Sequence, residues 1–161
     1  TLSIEHNQQV NISLGIEPFF TFIYDKSNEI IPIVISQLKD HNFHYDSIEN
    51  TYGPISYWNT SNVKNMSHMF ENAKNFNQPL NNWDTSNVTN MSHMFNDATK
   101  FDQPLNEWNT SEVSDMSHMF DGATNFNQTL YDWDTRKVTK HIYFSDGAGF
   151  RITRPHFRPP F

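Results

Sequence analysis

His68, His93 and His118 recur every 25 residues, each directly after a serine (Ser67, Ser92 and Ser117). A column of imidazoles suggests two chemistries, a transition-metal site and a proton-sensitive surface, because His is a common metal ligand and titrates near neutrality. Serine beside histidine suggests a third, nucleophilic catalysis. The third fails on geometry, since adjacent residues of a helix do not face each other. No Gly-rich phosphate loop, metalloprotease helix or nucleophile elbow occurs either. An active site needs its residues once, and these are written three times. The pattern therefore predicts architecture: no catalytic residue, no cofactor, no metal and no enzyme.

The surrounding sequence explains the recurrence. MSHMF stands at 66–70, 91–95 and 116–120, and Trp58, Trp83, Trp108 and Trp133 keep the same period. The first three units read WNTSNVKNMSHMFENAKNFNQPLNN, WDTSNVTNMSHMFNDATKFDQPLNE and WNTSEVSDMSHMFDGATNFNQTLYD. A fixed period in this range is the signature of stacked coils. Met66, Met69, Phe70 and Ala73 sit at i, i+3, i+4 and i+7, which predicts a short helix. Asn65 or Ser67 would cap its start. Asn72, Asp97 and Gly122 tolerate the left-handed geometry that ends helices. Residues 60–64 carry the β-branched Val63 and read as a brief strand. Phe76, Leu80 and Trp83 then anchor an extended return that Pro79 and Pro104 stiffen.

The fold class expected is an α/β repeat solenoid with short parallel strands and short helices. One coil buries little alone, so Trp should stack on Trp, Phe on Phe and Met on Met. Parallel strands would repeat at about 4.8 Å and helices at roughly 8–10 Å, curving the stack. The histidines, off the Met-Phe stripe and exposed, would then stand too far apart to share one zinc, whose ligands lie about 2.0–2.1 Å from it. The expected organisation is a non-repeat cap over 1–50, a repeat region over 51–150 and a tail over 151–161. PFFTFIYD and EIIPIVIS within the cap read as two strands, with a turn of helix from Gln37 to His41. The repeat region divides into a half coil, three full coils and a degenerate last coil, in which His141 and Phe144 replace the Met pair.

Aromatic residues make up 15% of the chain, too many for a disordered one, while mean hydropathy of −0.69 predicts a thin core. The absence of Cys excludes disulfides and thiolate zinc sites and leaves the compartment open. No apolar run approaches the roughly 18–20 residues of a spanning helix. The sequence opens at Thr1 without a charged-then-apolar leader, which is weak guidance to location. Residues 58–133 hold nine acids and three bases, and 134–161 two acids and six bases. An acidic body argues against nucleic acid as a partner.

The unit W-[DN]-T-S-x-V-x-x-M-S-H-M-F-x-x-A-x-x-F-[ND]-Q-P-L resembles the BspA-type leucine-rich-repeat surface proteins, also described as DUF285 or the Mycoplasma lipoprotein-type 25-residue repeat. The likeness covers roughly 52–150. It implies right-handed, leucine-rich-repeat-like coils used for adhesion or protein binding, in a family of bacterial surfaces, mycoplasmas, protists and large DNA viruses.

Variation between units points to a binding face. With Val63 inward, Asn62 and Lys64 point outward, and their equivalents are Asn87 and Thr89, Glu112 and Ser114, and Lys137 and Thr139. In the tail, Arg151, Arg154 and Arg158 alternate with Pro155, Phe157, Pro159, Pro160 and Phe161, so the segment should lie extended on its own repeats or on a neighbouring chain. Sequons at Asn11, Asn59, Asn65, Asn87, Asn90, Asn109 and Asn127 are expected to reflect amides bonding coil backbone rather than glycosylation. The function expected is a non-enzymatic protein–protein interaction module at the cell surface or outside the cell. The alternative is a structural part of a large assembly, such as a decorating virion protein of a large DNA virus, with neighbouring subunits as partners.

Overall fold

The computed structural model describes residues 53–149 and 155–157. The expectations for 1–50, and those for Arg151, Arg154, Arg158 and Phe161, lie outside the described residues.

Residues 25 apart are neighbours throughout the described repeats. The Phe70, Phe95 and Phe120 rings stack face to face at 5.3 and 5.4 Å between centroids. A second Phe column, Phe76, Phe101 and Phe126, repeats at 5.9 and 5.7 Å. The two columns interlock, because within each coil the paired rings lie 4.1–4.3 Å apart. Trp108 stacks on Trp133 at 6.2 Å. Ala73, Ala98 and Ala123 are buried beside these rings, where a larger side chain would compete with them for space.

Helices do not form over 66–73 and its equivalents. The N–H groups of Met69, Glu71 and Ala73 reach back three residues, to the carbonyls of Met66, His68 and Phe70. Those of Met66, His68, Phe70 and Asn72 leave the coil and donate to Asn90, Ser92, Met94 and Asn96 of the next at 2.8–2.9 Å. An α-helix would need all of them to bond four residues back. The cause is local. His68 and Asn72 both have positive φ, 59° and 61°, and so do His93 and Asp97, and His118 and Gly122. A left-handed residue every fourth position breaks the helical path and turns alternate N–H groups toward the neighbouring coil. The 3-10 turn at Ile55–Tyr57 is the one helical element among the described residues.

The expected strand over 60–64 is likewise a turn, closed by the Val63 N–H on the Thr60 carbonyl at 2.9 Å. Parallel pairing instead falls one residue beyond, as single bridges Asn65↔Asn90↔Asp115↔Lys140. The wide side of 8–10 Å expected from packed helices therefore does not exist. Hydrogen bonds hold the MSHMF side of the coils together as they hold the bridge side.

Buried polar groups follow the same period. The indole N–H groups of Trp83, Trp108 and Trp133 donate to the coil before, to Ile55, Leu80 and Leu105 at 2.8–3.0 Å, whereas that of Trp58 donates to nearby Gly53 at 3.2 Å. Each buried Thr hydroxyl donates to the coil after it: Thr60 to Asp84, Thr85 to Asn109 and Thr110 to Asp134. Invariance of the W-x-T pair thus follows from the need to satisfy buried donors.

The last coil has no successor, and the tail takes that place. Thr135 donates to the carbonyl of His156. Pro155 is buried, and the Phe157 ring stacks on His141 at 4.2 Å and meets Phe144 edge-on at 4.9 Å. Ser145 stands where the preceding coils have Phe, so Phe120 is covered by Phe144 at 5.5 Å in an edge contact.

Candidate functional site

The proposed outward face is present as a surface. Asn62, Lys64, Asn87, Thr89, Glu112, Ser114, Lys137 and Thr139 are all exposed, and they flank the buried column Val63, Val88, Val113 and Val138. Much of this face is occupied in holding coils together. The Thr89 N–H donates to Lys64, Ser114 to Thr89 and Thr139 to Ser114, each at 2.9 Å. Their hydroxyls aim at the same carbonyls at 3.1–3.4 Å. Asn87 Nδ2 donates to the Ser61 carbonyl at 2.8 Å. Lys137 Nζ lies 2.6 Å from a Glu112 oxygen, both side chains about half exposed. The preference for Ser or Thr in one column thus has an internal cause. The run Asn62, Asn87, Glu112, Lys137 has one only at its later coils. Phe157, expected among the partner-binding residues, packs against its own last coil.

One kind of turn explains four of the seven sequon asparagines, Asn59, Asn65, Asn90 and Asn109. Asn59 Oδ1 accepts both the Ser61 N–H and its hydroxyl, at 3.0 and 2.7 Å, and Asn109 does the same for Ser111. Asp84 does so for Ser86, so an acid serves equally well. Asn65, Asn90 and Asp115 accept the N–H of the serine two residues on, at 2.9–3.0 Å. The requirement is for an acceptor oxygen, which Asn and Asp both supply.

At Asp84 the side-chain bond from Ser86, then its backbone N–H, hold the carboxyl below its ordinary value. The folded pKa is depressed, so the stability contributed is complete above the unfolded value and lost as pH falls through the folded one. Asp84→Asn keeps the acceptor and removes the charge. Its melting temperature should lie slightly below that of the parent at neutral pH, and the gap should close below about pH 4. Parallel thermal melts from neutral to acidic pH measure this.

The histidine column departs most from expectation. His68 and His93 stack at 4.7 Å between ring centroids, and His93 and His118 at 4.5 Å. The rings are this close because no helix thickens this side of the coil. Glu71 sits beside them, Oε2 at 3.1 Å from His68 Nδ1 and Oε1 at 3.9 Å from His93 Nδ1. His118 Nδ1 pairs with Asp121 at 2.9 Å. In the fourth coil Tyr143 replaces the histidine and tilts onto His118 at 5.0 Å. Neither the short spacing nor Glu71 was anticipated from the sequence. The visible signal was an acid three residues after His68 and again after His118, with Asn96 between them.

The family described as Mycoplasma protein of unknown function, DUF285, matches residues 39–152. The chain belongs to that family. No curated protein and no solved structure matches it. The match covers all four DUF285 coils and begins well before Trp58. Among the described residues of this DUF285 chain, no helix is long and apolar enough to cross a membrane.

Proposed function

We propose that this DUF285 chain is a non-enzymatic protein-binding module: a repeat solenoid that presents its Asn62-to-Thr139 face to a partner at a cell surface or outside the cell. One observation carries the reading. The unit is nearly identical where it is buried, yet along one exposed column it changes from Asn62 and Asn87 to Glu112 to Lys137. Stacking demands the same residue in each coil, whereas a partner's surface differs from point to point. An exposed, rigid row at roughly strand spacing suits recognition of another protein through several weak polar contacts. The family resemblance to surface repeat proteins supports the same reading.

The test compares the parent chain with a variant carrying Lys64→Ala, Asn87→Ala and Glu112→Ala, each immobilised and offered extracellular and surface proteins. Capture of the same protein by the parent and by a His118→Asn control, but not by the face variant, supports the reading. Equal capture by the face variant, with an unchanged melting temperature, contradicts it.

A further inference from the structure

We propose that His68, Glu71 and His93 form a site for one divalent transition-metal ion, best matched by zinc, at the rim between the first and second full coils. The proposal is independent of the protein-binding reading.

Three donor atoms converge there. The ligand atoms of His68, Glu71 and His93 lie within 4.8 Å of one another, and Nδ1 of each ring faces a different oxygen of the same carboxylate. Zinc bonds of about 2.0–2.1 Å place tetrahedral ligands roughly 3.3 Å apart. His68 Nδ1 and Glu71 Oε2 already satisfy this at 3.1 Å. The His68 and His93 rings are stacked 4.7 Å apart and nearly parallel, so a ring must rotate out of the stack to aim both in-plane Nδ1 lone pairs at one ion. That movement is open to side chains that are 51%, 27% and 31% exposed in chain order.

A second, independent observation concerns one atom. His93 Nδ1 has almost no solvent contact and no hydrogen-bond partner. A buried polar atom without a partner requires an explanation, and a bound ion is among the common ones. Its situation follows from the sequence of the second coil. Where the first and third coils have Glu71 and Asp121, the second has Asn96, whose amide donates to the Asp121 carbonyl. His93 therefore lacks the acid three residues on that His68 and His118 have, and the carboxylate that faces its Nδ1 is Glu71 of the coil before. At 3.9 Å that carboxylate is too distant to accept a hydrogen bond and already meets His68. A dication between the three groups would engage both Nδ1 lone pairs and the carboxylate together.

The donor set selects the metal. Two imidazoles disfavour Ca²⁺ and Mg²⁺, which take oxygen ligands, and suit Zn²⁺, Co²⁺, Ni²⁺ or Cu²⁺. The absence of Cys excludes a thiolate contribution. With three protein ligands the fourth position is left to water or to a group from outside. A chain of net charge −7 favours cations generally, though without selectivity. An ion here would tie adjacent coils together through side chains, beside the hydrogen bonds that join their backbones.

Titration of ZnCl₂ into the full chain near neutral pH tests this by calorimetry alongside thermal melts. The expected result is saturable 1:1 binding, a higher melting temperature with zinc, and reversal by EDTA. Glu71→Gln and His68→Asn should each weaken binding by at least about tenfold, while His118→Asn leaves it unchanged. Asn suits position 68 because it tolerates the positive φ found there. Melts of each variant without zinc confirm that the fold is retained. Affinity should fall as the solution is acidified, because protons compete with the metal for its ligands. Absence of saturable binding up to about 0.1 mM, a weak affinity in any case, would overturn the proposal. Unchanged binding in Glu71→Gln, or equal loss in His118→Asn, would overturn it as well.

Discussion

Trp108→Ala should lower the free energy of unfolding by about 3–5 kcal/mol, the range for truncating a buried large aromatic. Trp108 is 4% exposed, stacks on Trp133 at 6.2 Å and contacts Phe95 at 6.2 Å. The loss has two parts. Removing the indole leaves a cavity between coils that have little other material to collapse into it. It also strands the Leu80 carbonyl, which accepts the indole N–H at 2.9 Å, and an unsatisfied buried acceptor costs about 1–3 kcal/mol by itself. Trp108→Phe would restore part of the packing and none of the hydrogen bond, so it should fall between the parent and the Ala variant. Urea melts of the three proteins give the order. A loss below about 1 kcal/mol for Trp108→Ala would mean that the indole is not packed between coils.

The residues that face inward were legible in the sequence, because burial imposes one requirement per position and the repeat states it three times. Met66, Phe70, Phe76, Leu80 and Trp83 are all buried, as their spacing indicates. The left-handed positions at Asn72, Asp97 and Gly122 were legible too, since those residue types share little else. At Gly122, where φ is 72°, an added Cβ would stand 2.2 Å from Asp97 Oδ1, so a side chain here would require that carboxylate to move.

What MSHMF could not disclose is where its N–H groups go. Apolar residues at i, i+3, i+4 and i+7 mark one side of a helix, but a succession of three-residue turns places the same residues inward. The deciding feature is positive φ at His68, His93 and His118. Histidine is several-fold enriched in that region, yet far less diagnostic of it than Gly or Asn. Everything built on a helix inherited the error, above all the spacing of the histidine rings. The site at Glu71 was hidden for the same reason, because the distance from one coil to the next depends on which backbone groups pair.

Register tests the stack most directly. If residue i lies on residue i+25 and each coil contacts only its neighbours, removing residues 84–108 joins Trp83 to Asn109 and leaves every remaining coil in register. The shortened chain should unfold in one cooperative transition, at a somewhat lower temperature, with its tryptophans still shielded from water. Removing residues 84–96 deletes less of the chain but puts Trp83 opposite the wrong half of the next coil, and folding should be lost. Thermal melts of both variants followed by tryptophan fluorescence decide between them. A cooperative transition for the first and none for the second is the expected result; loss of folding in the first, or equal stability in both, would contradict a stack with a 25-residue register.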